Sequence, residues 1–214
     1  MKTTTITIKR LKKDGTFDRA QMNNLTAVLD REGLVVLPVD SIYGYAAVYR
    51  SRSFPTMLKT ASKGEREAIR LISSFKMLEK VAAVDKMEFD FLHRIWPAEV
   101  TVHLASIETQ GETVQVRMPR SRFVLDIIEQ IGKPIAYLPL LDRNGKPVYQ
   151  KKDIQRLATE KCDCLLIVDE MCKSHTLPTV IDLTKGGMEV LREGRVSSEE
   201  LKSLYFLGKD DAGI

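Results

Sequence analysis

The chain has 214 residues, 43% of them apolar and 29% charged, a balance that suits one globular domain with a core of ordinary size. Its 33 Lys and Arg against 29 Asp and Glu leave a formal net charge of +4, which permits an anionic ligand without demonstrating nucleic-acid binding. No apolar run approaches a membrane span, the N-terminus carries no signal-like segment, and the three cysteines argue against a disulfide framework; no membrane partner and a cytoplasmic location are expected.

Thr3 to Lys9 alternates β-branched residues and predicts a strand. Asp18-Arg-Ala-Gln21 has the spacing of a capping box and opens a helix to about Arg31, with Leu25, Val28 and Leu29 at helical spacing and Gly33 closing it. Leu34 to Leu37 predicts a short buried strand, Phe54 to Lys63 a helix, and Ile69 to Ser73 an extended segment. The mixed charges of Lys76 to Lys86 read as a solvated face. Met87 to Trp96 predicts a helix stopped by Pro97.

Val100 to Leu104 and Thr113 to Arg117 predict antiparallel strands around Gln110-Gly111. Helices are expected over Phe123 to Ile131 and Lys152 to Ala158, and strands over Pro134 to Leu138, Cys164 to Val168, Thr179 to Leu183 and Met188 to Leu191. Asp142-Arg-Asn-Gly-Lys-Pro147 is the clearest loop, and Ser197-Ser-Glu-Glu200 opens a last helix with a second capping box. Strands and helices interleave throughout, so the fold class is α/β, a mixed sheet flanked by helices in a single domain over residues 1–214.

Several chemistries lack their signatures. No Gly-rich loop has P-loop or Rossmann spacing, and none of His93, His103 and His175 sits in a nucleophile-base context; His93 reads as packed or surface. Cys162, Cys164, Cys172 and His175 could in principle supply four metal ligands. A Cys-x-Cys on a strand lacks the zinc-knuckle turn, so free thiols and no metal site are the reading taken.

Two distant stretches carry the functional signal: Gly33-Leu-Val-Val-Leu-Pro-Val-Asp-Ser-Ile-Tyr-Gly44, and Leu177-Pro-Thr-Val-Ile-Asp-Leu-Thr184 with Val190-Leu-Arg-Glu-Gly194. Each is an apolar run ending in polar residues, the way a strand delivers polar groups to a sheet edge where α/β proteins bind ligands. Arg117 follows Val114-Gln-Val, and Arg192 follows Glu189-Val-Leu, in the same manner. A guanidinium presents a planar pair of donors to phosphate or carboxylate. The competing reading is a pair of structural salt bridges to Asp40, Asp182 or Glu193.

These residues resemble the YrdC-like family, and its YciO branch more than the YrdC enzymes. Leu37-Pro-Val-Asp-Ser-Ile-Tyr-Gly44, Trp96-Pro-Ala-Glu-Val-Thr101, Val114-Gln-Val-Arg-Met-Pro119, Gly132-Lys-Pro134, and Pro178-Thr-Val-Ile-Asp182 with Leu191-Arg-Glu-Gly194 follow the family's motif order over about 18–195. The resemblance implies a twisted sheet around a large concave, basic cavity. It also implies an activity in or derived from L-threonylcarbamoyladenylate synthesis from L-threonine, bicarbonate and ATP for the t6A modification of tRNA. In that chemistry a carbamate oxygen attacks the α-phosphorus and pyrophosphate leaves, so the protein chiefly orients ligands and offsets charge.

Carried over by the same motifs, Ser41 stands near the threonine-binding region, Thr101 and Arg117 near substrate and phosphates, and Thr179 and Arg192 on the nucleotide side. The implied partners are a nucleotide (ATP or AMP), L-threonine, and double-stranded RNA or tRNA; no tightly bound cofactor is expected beyond Mg²⁺ accompanying ATP. Alternatives are a catalytically inactive double-stranded RNA-binding module and a structural partner of a tRNA-modifying complex. The sequence departs from the family where a Lys-x-Arg phosphate clamp falls on Ala61-Ser62-Lys63, leaving Lys63, Lys59 or Arg66 to serve. It departs again where a Ser-x-Asn loop falls on Pro139-Leu140-Leu141, and at Val39 and Pro178.

Overall fold

Alternating threonine and isoleucine form the first strand, Thr4–Ile8 (β1), in the computed structural model, which describes residues 2–40, 42–60, 67–173 and 176–210. Asp18 caps Arg19–Asp30 (α1), its Oδ1 accepting from the Gln21 amide at 3.0 Å. Val35–Val39 (β2) and Ile42–Val48 (β3) pair as a hairpin with Val39 opposite Ile42. Asp40 has φ 57°, the left-handed geometry favoured at the start of a two-residue hairpin connection. Phe54–Thr60 (α2) and Ile69–Leu71 (β4) follow.

The segment expected only as a solvated face holds a short helix, Phe75–Leu78 (α3), and a two-residue strand, Ala82–Ala83 (β5). Its charged residues Lys76, Lys80 and Lys86 are exposed, while Leu78, Val81 and Ala82 are buried. Lys86–Ile95 (α4) starts from a capping box that sequence inspection overlooked: Asp85 accepts from the Glu88 amide at 2.8 Å and Glu88 from the Asp85 amide at 2.9 Å. Val100–Ser106 (β6) and Thr113–Arg117 (β7) are antiparallel, as predicted.

Arg122–Ile131 (α5) ends on Gly132 at φ 69°, the residue type that tolerates this C-cap. Ile135–Pro139 (β8), Lys151–Ala158 (α6) and Cys164–Val168 (β9) come next, then Thr179–Asp182 (β10), Glu189–Arg192 (β11) and Ser198–Asp210 (α7). Between β8 and α6, Asp142 accepts from the Asn144 and Lys146 amides, which explains the expected loop there.

The chain divides into two compact units, each assembled from two segments: Met1–Leu71 with Ser121–His175, and Ile72–Arg120 with Thr176–Ile214. In the first, strands run in the order β1-β9-β2-β3-β8-β4; β9 is parallel to β1 and β2, and the other pairs are antiparallel. Every residue of β2, β3, β8 and β9 is buried, so these strands read as unbroken apolar runs instead of alternating ones. Val36, Tyr45, Leu138 and Leu165 pack in one cluster with Met57 of α2 and Ile154 of α6. α1 packs against β2, β3 and β9 and beside α5, and Phe17 meets Phe123 edge-on at 5.6 Å.

In the second unit the order is β7-β6-β10-β11, with β5 beside β6; β10 runs parallel to β6 and the remaining pairs are antiparallel. Both units are therefore mixed sheets with helices, the α/β class expected. α4 and α7 pack together, with Phe91 meeting Tyr205 edge-on at 5.2 Å. His93 is exposed and stacks on Phe75 at 3.5 Å, a packing contact of the kind expected for it. Among the described residues no helix is long and apolar enough to cross a membrane.

Candidate functional site

The second unit's sheet has one apolar and one polar side, and the division follows from strand parity. Val100, Val102 and Leu104 of β6, Val114 and Val116 of β7, and Ile181 of β10 are buried and share one side by register. The intervening residues form the other side: Thr101 and His103 of β6, Gln115 and Arg117 of β7, and Val180 and Asp182 of β10.

Three residues singled out by sequence fall in one row across that polar side. Val102 pairs with Val116, and the same register one residue further sets Thr101 across from Arg117. Thr101 pairs with Val180, and Val180 pairs with Arg192 beside a register shift that falls between Val180 and Ile181. Arg117 and Arg192 thus end a four-strand row, three strand spacings or about 14 Å apart. That span is of nucleotide dimensions, with Thr101 between.

Arg117 and Thr101 are each only 1% exposed, and the Thr101 hydroxyl has no hydrogen-bond partner among the described residues. A buried hydroxyl left in that state is costly, and a ligand atom reaching it would recover the bond. Arg192 is half-buried, and its Nε and one terminal nitrogen donate to the Pro178 carbonyl at 3.3 and 3.2 Å. This contact holds the guanidinium at the edge of the row.

Thr179, which the resemblance puts on the nucleotide side, is engaged within the fold. It pairs with Val100 and so lies on the apolar side, 0% exposed. Its hydroxyl donates to the Val196 carbonyl at 2.5 Å and accepts from the Gly194 and Val196 amides at 3.0 and 3.2 Å. All of its hydrogen-bonding capacity is spent on fastening residues 194–196 to β10. Ser41 and Lys63 lie outside the described residues, as do His175 and the Ala61-Ser62-Lys63 stretch.

Asp182, the end of the Pro178–Asp182 motif and an alternative salt-bridge partner, belongs to this side of the sheet. Its Oδ1 accepts from the Thr184 amide and hydroxyl at 2.8 and 2.6 Å, and Lys185 lies 3.7 Å from Oδ2. Burial pushes its carboxyl up, but the two Thr184 bonds, Lys185 and His103 outweigh burial and hold it below the ordinary range. Glu193, another suggested partner, accepts instead from the Ser198 hydroxyl at 2.7 Å. The polar run Thr101, His103, Gln115, Arg117 at alternate positions was the sequence signal for this side.

In the first unit, the Asp40 amide donates to the Ser121 hydroxyl at 2.7 Å, and the Ser121 amide and hydroxyl donate back to Asp40 Oδ1 at 2.9 and 3.1 Å. The acid of the Pro-Val-Asp-Ser motif thereby locks the β2–β3 connection to the start of α5. Arg70, another buried guanidinium that sequence reading passed over, sits 4.1 Å from the Tyr49 ring centroid and donates to its hydroxyl at 2.6 Å. Leu140, where the resemblance expects a polar loop, is buried and ties to Tyr43 and Val148 through backbone bonds. Cys162 and Cys164 are free, buried thiols, with burial pushing them up to about 12 and about 11.

Comparison with known proteins decides the family. The Sua5/YciO/YrdC model, described as "Telomere recombination", matches residues 27–194. The chain belongs to this family. It is 31% identical over 188 residues to the threonylcarbamoyl-AMP synthase of Pyrococcus abyssi (strain GE5 / Orsay), covering 81% of this chain and 54% of that protein. The chain thus spans about half the length of that curated relative.

Among solved structures, E. coli YciO superposes with a TM-score of 0.80 at 16% identity, over 93% of this chain and 99% of YciO. P. abyssi Sua5 complexed with L-threonine superposes with a TM-score of 0.78 at 23% identity, over 93% of this chain and 60% of Sua5. These likenesses establish a shared α/β fold, with a mixed twisted sheet flanked by helices.

Proposed function

We propose that this family member binds a nucleotide or RNA phosphate on the polar side of the β7-β6-β10-β11 sheet, with an activity in or derived from L-threonylcarbamoyladenylate synthesis. The observation that carries the reading is the row Arg117–Thr101–Val180–Arg192, which sets two guanidinium groups and a buried hydroxyl on one face. The family match and the relative named threonylcarbamoyl-AMP synthase support the reaction class. A structure of a family member complexed with L-threonine supports the second substrate.

In this reading the phosphates are held by the arginines, and Thr101 orients substrate. No covalent nucleophile is required, because the attacking carbamate oxygen comes from the substrate and the enzyme acts by positioning and charge stabilisation. In this reading Mg²⁺ accompanies ATP, bound to its phosphates. A second reading, a catalytically inactive module that grips double-stranded RNA, draws on Leu140 being part of the apolar core where the resemblance expects a polar loop.

The deciding assay is pyrophosphate release with L-threonine, bicarbonate, ATP and Mg²⁺, each omitted in turn. The synthase reading expects release only with the complete mixture. Arg192→Ala, on the half-buried edge strand, should weaken ATP binding about tenfold or more by calorimetry, the effect of losing a charge-assisted bond. Binding of neither ATP, AMP nor short structured RNA at millimolar concentration would remove the proposal.

A further inference from the structure

β1 forms one edge of the first unit's sheet and pairs only with β9 among the described residues. The Thr4 amide donates to the Asp163 carbonyl at 2.9 Å, and the parallel register runs unbroken from Thr4 opposite Cys164 to Ile8 opposite Val168. Backbone groups of successive residues alternate between the two flanks of a strand. Thr4, Ile6 and Ile8 therefore bond to β9, while the amides and carbonyls of Thr5 and Thr7 point away from it. Among the described residues no other backbone group pairs with them. They offer an extended ligand donors and acceptors at the spacing of a sheet ladder.

Sheet edges are commonly blunted by a charge, a proline or a bulge within the strand. β1 carries none of these: Thr-Thr-Ile-Thr-Ile is β-branched throughout, and Thr5 and Thr7 are exposed. β11, the edge of the second unit's sheet, differs. It holds Glu189 and Arg192 and a register shift against β10. β1 is the edge left open to pairing.

Charge selects the occupant. Lys2, Lys9, Arg10 and Lys13 flank β1, all exposed, and none forms an ion pair among the described residues. Asp14 and Glu170 meet this segment but are engaged. Asp14 Oδ1 accepts from the Thr16 amide and hydroxyl at 2.9 and 2.7 Å, and Glu170 Oε1 accepts from the Leu11 amide at 2.7 Å. The same charges disfavour a second copy of this chain: antiparallel pairing about Ile6 sets Lys2 opposite Arg10, and parallel in-register pairing sets Lys9 beside Lys9. An extended segment with β-branched residues between acidic flanks satisfies both the backbone and the charge.

We infer that the open edge of β1 docks an extended, acidic segment of a partner protein as an added strand. The full chain is titrated with a short peptide that alternates threonine and valine between pairs of glutamates, and amide hydrogen exchange is followed by NMR. Exchange at Thr5 and Thr7 should slow about tenfold when the peptide is at about ten times its Kd, whereas Ile6 and Ile8, already bonded to β9, should change little. Lys9→Glu together with Arg10→Glu should weaken the peptide about tenfold. Thr7→Pro removes an amide that β9 does not use, so the fold should persist while docking is lost; if that variant fails to fold, the charge-reversed pair carries the test alone. The inference is overturned if the peptide leaves Thr5 and Thr7 unprotected, or if its lysine counterpart protects them equally. Protection of Thr5 and Thr7 by duplex RNA, or by raising the protein concentration alone, would overturn it as well.

Discussion

Thr179 shows how one hydroxyl can hold a segment that backbone pairing does not reach. Residues 194–196 run between β11 and α7, and Thr179 supplies the acceptor for two of their amides and a donor to one of their carbonyls. Valine has the same shape but no hydroxyl. Thr179→Val should therefore destabilise the protein by about 2 kcal/mol or more, because the two amides lose their acceptor. Urea unfolding measures the loss, and amide exchange at Gly194 and Val196 should accelerate with it. Unchanged exchange there would assign the hydroxyl no fastening role.

A residue-scale pH effect belongs to Asp182. Its carboxyl is held below the ordinary 3.8, so the folded state binds a proton less readily than the unfolded chain. Its contribution to stability is complete above that ordinary value and is lost as pH falls through the lowered folded one. Asp182→Asn removes the titration. The stability gap between wild type and variant should therefore be constant at neutral pH and shrink only below about pH 4, read from urea midpoints. A gap that shrinks as pH rises would contradict the sign.

At the scale of elements, β3 illustrates why the aromatic-Gly pair of the first motif is a packing requirement. Gly44 faces Pro139 of β8 in the register, and a Cβ there would run into the Tyr137 ring and the Leu138 carbonyl. Tyr137 cannot yield cheaply, since it is buried and its hydroxyl donates to the Ile42 carbonyl at 2.6 Å. Gly44→Ala should cost about 1–3 kcal/mol or more from overpacking, visible as a lower melting temperature. The same element explains a gap in the sequence reading. All seven residues of β3 are buried, so it offers no alternation, and Gly44, Ala46 and Ala47 interrupt the strand-favouring Ile42, Tyr43, Tyr45 and Val48.

The other elements were legible wherever periodicity or capping spoke. Cys164–Val168 matches its predicted bounds, and β6 and β7 were found as an antiparallel pair because one side of each is apolar and the other polar. The short α3 and β5 were missed, since four and two residues carry too little pattern to rise above their charged neighbours.

For the molecule as a whole, the net charge of +4 is spread over 33 basic and 29 acidic residues, so affinity for phosphate must come from local placement. If Arg117 and Arg192 neutralise two phosphate charges of an RNA ligand, its affinity should fall about tenfold between roughly 50 and 200 mM salt. A salt-independent affinity would remove these arginines from the contact. A much steeper fall would point to an extended basic surface and the RNA-module reading.

The order of motifs, the interleaving of strands and helices, and the family itself were all written in the linear chain, because periodicity and short motifs are local properties of sequence. Which polar residues share a face was decided by tertiary structure. Thr101, Arg117 and Arg192 come into one row only through strand register, while Thr179, next to Val180 in the chain, is turned to the opposite side and consumed by the 194–196 segment. A motif names a residue, but the alternation of side chains across a pleated strand and the pairing of strands distant in sequence determine which way that residue points.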